Sequence, residues 1–90
     1  MAWKVKISAT ARKQLQKIDH QARSDIKKYL RERIATSEDP RRFGEPLKYN
    51  LYRFWRYRIG SYRIIADIQD QEITVLVLKV GHRKKAYGGH

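Results

Sequence analysis

Two runs of aromatic and β-branched residues, 52–59 and 62–69, are separated only by Gly60-Ser61. That spacing points to a β-hairpin closed by a two-residue turn, with Gly60 in the first central position where a positive φ is needed. The turn dictates a register: Ile59 faces Tyr62, Arg58 faces Arg63, Tyr57 faces Ile64 and Trp55 faces Ala66. Side chains alternate across a strand, so Trp55, Tyr57, Ile59, Tyr62, Ile64, Ala66 and Ile68 share the face expected to bury. Arg56, Arg58 and Arg63 share the opposite one. A third run, 72–80, follows Asp70-Gln71 and completes an antiparallel meander. A second two-residue turn there would set Leu78 opposite Arg63.

Upstream of this β half the periodicity is different. Trp3-Lys4-Val5-Lys6-Ile7 alternates apolar and basic residues as a half-buried strand does, and Ser8 or Thr10 can cap a following helix. Ala11, Leu15 and Ile18 recur at helical spacing, with Arg12, Lys13, Gln14 and Lys17 on the other face; this helix ends near Asp19-His20. Ala22, Ile26, Tyr29, Leu30 and Ile34 repeat the pattern in a second helix that stops before Thr36. Pro40 and Pro46, the two prolines of the chain, divide the helical part from the β part. The expected fold is α+β, one small domain over residues 1–90, with an N-terminal strand and a two-helix hairpin packed on the meander.

Charge narrows the functions open to such a fold. The 90 residues hold 21 Lys+Arg against 9 Asp+Glu, a formal net charge of +12, which creates a positive field suited to a polyanion. Nucleic acid is the first candidate partner and an acidic protein the second. No apolar run approaches the ~18 residues of a membrane span, and the N-terminus has no apolar h-region, so a cytoplasmic protein without a membrane partner is expected. There are no cysteines, which removes disulfide and thiolate chemistry. His20, His82 and His90 have no zinc-site spacing, so no metal and no cofactor are expected.

Like charges facing each other on a sheet are destabilising by up to roughly 1 kcal/mol. Pairing Arg58 with Arg63 therefore makes sense where an anion is to lie between them, and with Arg56 they read as a phosphate cradle. Arg83, just beyond the third run, is a fourth candidate cation. The competing reading is a solvated sheet face that happens to be basic. Taken singly, Tyr87 reads as a packing residue, and His20, His82 and His90 as surface groups.

The segments Gly44-Glu45-Pro46-Leu47-Lys48, Trp55-Arg56-Tyr57-Arg58-Ile59-Gly60-Ser61-Tyr62-Arg63 and Gly81-His82-Arg83 with Tyr87 together resemble toxins of the RelE branch of the RelE/ParE superfamily. The resemblance spans most of the chain. It implies a RelE-like fold and a toxin of a type II toxin–antitoxin system, a metal-independent endoribonuclease that cuts mRNA in the ribosomal A site. The implied partners are a cognate antitoxin, mRNA and the ribosome with its rRNA, and operator DNA only through the antitoxin. The implied catalytic set is Arg56, Arg58, Arg63, Arg83 and Tyr87. Lys48, Arg53, Lys84 and Lys85 are expected to contact RNA, and His82 or His90 could replace a missing acid or base. The best-known members carry lysines where this chain has Arg56 and Arg58. Arginine stays protonated at physiological pH, so the pair can hold phosphate but is a poor proton acceptor. Other branches use a glutamate and a C-terminal histidine as base and acid, and from the sequence no glutamate stands at a convincing place. Two rival functions are carried forward: a ParE-like DNA gyrase inhibitor and a non-enzymatic basic module that binds nucleic acid or a protein partner.

Overall fold

The computed structural model describes residues 2–47 and 50–82, residues 50–52 by their backbone. The chain begins with strand β1 (Lys4–Ile7) and helices α1 (Ala9–Lys17) and α2 (His20–Tyr29). Short strand β2 (Glu45–Leu47) and the meander β3 (Asn50–Ile59), β4 (Tyr62–Gln69) and β5 (Thr74–His82) follow. The sheet has five strands in the order β1-β5-β4-β3-β2. The meander is antiparallel, as is the β2–β3 pair, while β1 runs parallel to β5. The architecture is α+β as expected, with two helices on a mixed sheet rather than on a bare meander. Among the described residues no helix is long and apolar enough to cross a membrane.

Local chemistry explains the helices. Ser8 caps α1, its hydroxyl accepting from the Ala11 N–H at 3.1 Å, and Asp19 caps α2, its carboxylate accepting from the N–H groups of Gln21 and Ala22. Such caps satisfy amides that have no partner within the helix. The second helix does not run evenly to Ile34: beyond Tyr29 it widens into a π-helical turn, Leu30–Ile34. Both Leu30 and Ile34 remain in the core.

The hairpin register agrees with expectation at every pair: Ile59 with Tyr62, Arg58 with Arg63, Tyr57 with Ile64, Trp55 with Ala66. Gly60 has φ of 59°. Tyr57, Ile64, Ala66 and Ile68 are buried against Ala11, Leu15, Ile26, Leu30 and Ile34 from the helical side, so the arginine face is the one turned away from the helices. Tyr57 is fully buried; its hydroxyl donates to the Pro40 carbonyl at 2.8 Å, tying the segment before β2 to the sheet.

The next turn corrects the sequence reading. Instead of two residues, a 3-10 turn at Asp70–Glu72 and a left-handed Ile73 (φ 49°) close the β4–β5 hairpin, and Gln69 pairs with Thr74. A bulge then takes in Leu78, so the residue opposite Arg63 is Gly81, not Leu78. Helix α1 supplies partners for the bulged backbone: the Ser8 hydroxyl donates to the Leu78 carbonyl at 3.1 Å, and the Val80 N–H donates to Gln14 Oε1 at 2.6 Å.

Candidate nucleic-acid interface

Three of the candidate side chains cluster on the adjacent strands β3 and β4, with β2 on the far edge of β3. Arg56 and Arg58 lie two apart on β3, so they project from the same face, and Arg63 stands across from Arg58 on β4. Their exposure is graded: Arg58 is exposed, Arg56 is half-buried, and Arg63 is only 9% exposed. The three thus grade from exposed at Arg58 to buried at Arg63.

Glu45 is the residue that sequence reasoning missed. Strand β2 pairs with β3 so that Glu45 falls opposite Arg56, and its carboxylate accepts from the Arg56 guanidinium at 2.5 Å. The hydrogen bond and charge of Arg56, followed by the more distant charges of Arg58 and Arg63, hold the Glu45 carboxyl below its ordinary range. Arg56 is thus the main partner of an exposed carboxylate, with Arg58 and Arg63 adding smaller contributions of charge. A glutamate does stand at a chemically meaningful place, and the only hint was its membership of the Gly44–Lys48 segment. That hint needed the β2–β3 pairing, which a three-residue strand containing Pro46 does not announce.

Gly44 lets this arrangement form. A Cβ there would lie 2.8 Å from the Arg56 carbonyl oxygen and 2.9 Å from the Tyr57 ring, closer than any side chain tolerates. Phe43, Gly44, Glu45, Arg56 and Arg58 line a cleft of about 200 Å³. A larger cleft of about 600 Å³ lies at the other end of the β3–β4 hairpin, walled by Arg53, Ile68 and the turn residues Gln69, Asp70, Gln71 and Glu72. Its rim carries Asp70 and Glu72, and Asp70 already binds Arg41 through two hydrogen bonds of 3.1 and 2.6 Å. A polyanion favours the smaller, basic cleft despite its size.

The remaining sequence candidates divide. Arg53 stands apart from the cluster and makes a two-pronged contact with the buried Asp67, at 3.1 and 2.8 Å, which holds the Asp67 carboxyl low. His82 is exposed at the end of β5, its ring edge-on to Tyr62 with centroids 5.6 Å apart. Lys48, Arg83, Lys84, Lys85, Tyr87 and His90 lie outside the described residues.

Chemically, the cluster can hold a phosphate. Guanidinium groups on two adjacent strands offer paired N–H donors to phosphate oxygens, and an ionised carboxylate beside them can accept a proton. In the resting chain that carboxylate occupies the position an incoming anion would contest.

Comparison with known proteins fits this chemistry. A family model described as the ParE toxin of the type II toxin-antitoxin system, parDE, matches residues 5–87. Toxin RelG of Mycobacterium tuberculosis is 31% identical over 87 residues, 97% of this chain and 98% of that protein. Among solved structures, a chain of the toxin-antitoxin complex RelBE2 from the same organism has a TM-score of 0.81 at 29% identity, with 92% of this chain and 93% of that one covered. The isolated E. coli RelE toxin, 20% identical, has a TM-score of 0.72 over 97% of this chain and 93% of its own, a likeness of fold.

Proposed function

Since the chain belongs to the ParE toxin family of type II toxin–antitoxin systems, within the RelE/ParE superfamily, we propose that it is a toxin of the RelE kind that cleaves mRNA, on the ribosome and without a metal. The observation that carries this reading is that Arg56, Arg58 and Arg63 share one face of β3 and β4, with the Glu45 carboxylate bound to Arg56 beside them. In the proposed reaction the ribose 2′-oxygen attacks the adjacent phosphorus, the bond to the 5′-oxygen breaks, and a 2′,3′-cyclic phosphate and a free 5′-hydroxyl result. Arg56, Arg58 and Arg63 hold the phosphate and stabilise the charge that grows on its non-bridging oxygens. Glu45, ionised beside them, takes the 2′-hydroxyl proton. Its lowered pKa makes it a weak base but keeps it deprotonated at neutral pH, and displacement of its Arg56 contact by the substrate phosphate would strengthen it.

The proton for the leaving oxygen comes from beyond the described residues or from the end of β5. Arg83 stands near that oxygen in this reading, Tyr87 stacks on a base or relays the proton, and His82 or His90 is the substitute acid. Lys48, Lys84 and Lys85 hold flanking RNA; Arg53, already bound to Asp67, contributes least. A cognate antitoxin is the natural protein partner, consistent with the RelBE2 neighbour having been solved as a toxin–antitoxin complex, and operator DNA would be reached only through it. A cytoplasmic protein is required by this role.

The description of the matching family model favours a second reading, a ParE-like DNA gyrase inhibitor. One experiment separates the two. On induction of the chain in cells, mapped message 5′ ends phased to the reading frame support the nuclease, and intact messages with a DNA-damage response support the gyrase poison. Arg58→Ala, at an exposed position, should abolish the cuts while its circular dichroism stays that of the parent; undiminished cutting by this variant removes the arginine cluster from the mechanism.

A further inference from the structure

The wall of the basic cleft is aromatic. Phe43 lines it together with Arg56 and Arg58, and continuing the Glu45–Arg56 pairing back by two residues brings Phe43 alongside Arg58. The ring is held by packing: Tyr29 meets it edge-on with centroids 6.4 Å apart, and Arg33 lies over it at 5.6 Å. The guanidinium of Arg42 also rests on the ring, at 4.8 Å. Arg42 is on the outside, its side chain 46% exposed and its ion-pair partner Glu38 60% exposed, so moving it aside costs little. Aromatic rings backed by packing and flanked by guanidinium groups are the surfaces on which unpaired bases stack.

We propose that Phe43 forms a base-stacking subsite next to the phosphate cradle, opened when Arg42 moves aside. It receives the nucleobase that neighbours the phosphate held by Arg56 and Arg58. The proposal rests on the nuclease reading and adds to it a residue that decides how the nucleotide is oriented. A stacking wall accepts any base, because every base has a π-face, so the subsite orients the chain and favours strongly stacking purines over pyrimidines.

The test uses the full chain and a four-nucleotide 2′-O-methyl RNA with 2-aminopurine at an internal position. The methyl group blocks the attacking oxygen, so the probe is not cut, and 2-aminopurine loses fluorescence when it stacks on a ring. The parent protein should bind and quench this probe. Phe43→Leu should bind roughly ten-fold more weakly, within the range for one base–aromatic stack, and lose the quench while keeping the same salt dependence; Phe43→Tyr should restore both. Arg58→Ala should reduce the slope of log affinity against log salt by about 0.7, the value for one phosphate contact on a single strand, and keep the quench at saturation. Unchanged quenching and affinity in Phe43→Leu, or loss of both in Phe43→Leu and Phe43→Tyr alike, overturns the stacking subsite and leaves the cradle intact. An unchanged salt slope in Arg58→Ala overturns the cradle, and the subsite falls with it.

Discussion

Tyr57 does two jobs that a smaller or less polar residue could not combine. Its ring fills the space between the sheet and Tyr29, with centroids 6.1 Å apart, and its hydroxyl reaches the Pro40 carbonyl. Burial raises the pKa of this phenol, so it stays a donor at any working pH. Tyr57→Phe keeps the ring and leaves the carbonyl without this donor; a loss of about 1–3 kcal/mol in urea unfolding is expected, and, on the proposed nuclease reading, a loss in message cleavage should accompany it because the segment leading to Glu45 loses this tie to the sheet. Asp67 carries a pH prediction. Its hydrogen bonds from Arg53, opposed by burial, hold its folded-state pKa below the unfolded value. Stability from this pair is therefore complete above the ordinary aspartate range and is lost as pH falls through the lowered value. Asp67→Asn should flatten the acid limb of stability against pH; an unaltered acid limb would show that the pair contributes nothing.

At the level of elements, what could be read in advance depended on turn length. The β3–β4 pairing was legible because Gly60-Ser61 allows one register, and it brought Arg56, Arg58 and Arg63 to one face without any knowledge of the rest. The β4–β5 pairing was misread because its turn depends on a left-handed isoleucine, Ile73, a conformation that β-branched residues seldom adopt, and because nothing in the residues around Leu78 marks a bulge. Glu45 was out of reach for a related reason: β2 is too short to carry a period. Gly44 and Gly60 test this difference. Gly60 is surrounded by open space and is required for its positive φ alone, so Gly60→Ala should cost about 1–2 kcal/mol and Gly60→Asn less. Gly44 is required for contact distance, so Gly44→Ala should push β2 away from β3, cost more than Gly60→Ala in thermal unfolding, and reduce message cleavage beyond its effect on stability. Equal losses at the two glycines would mean that β2 is not held by close approach.

For the molecule as a whole, the proposed nuclease role divides the excess of positive charge between drawing RNA in and holding it. Helices α1 and α2, packed on the face away from the arginine cluster, expose Arg12, Lys13, Lys17, Lys27 and Lys28, with Asp19 and Asp25 as acidic neighbours. None of these cations lines the Arg58 cleft, but their field extends about 8–10 Å at physiological salt and adds to the attraction of a long, flexible polyanion. Replacing Lys13, Lys17, Lys27 and Lys28 together with Gln should therefore slow the capture of a long RNA at low salt in stopped-flow measurements, and the difference should shrink as salt rises. The same variant should bind a tetranucleotide with the parent's salt slope, since no site contact has been removed. Arg58→Ala should do the reverse, lowering the tetranucleotide slope and changing long-range capture little. If the helix variant loses the tetranucleotide slope as Arg58→Ala does, the phosphate is held on the helical side, and the arginines of β3 and β4 do not form the site.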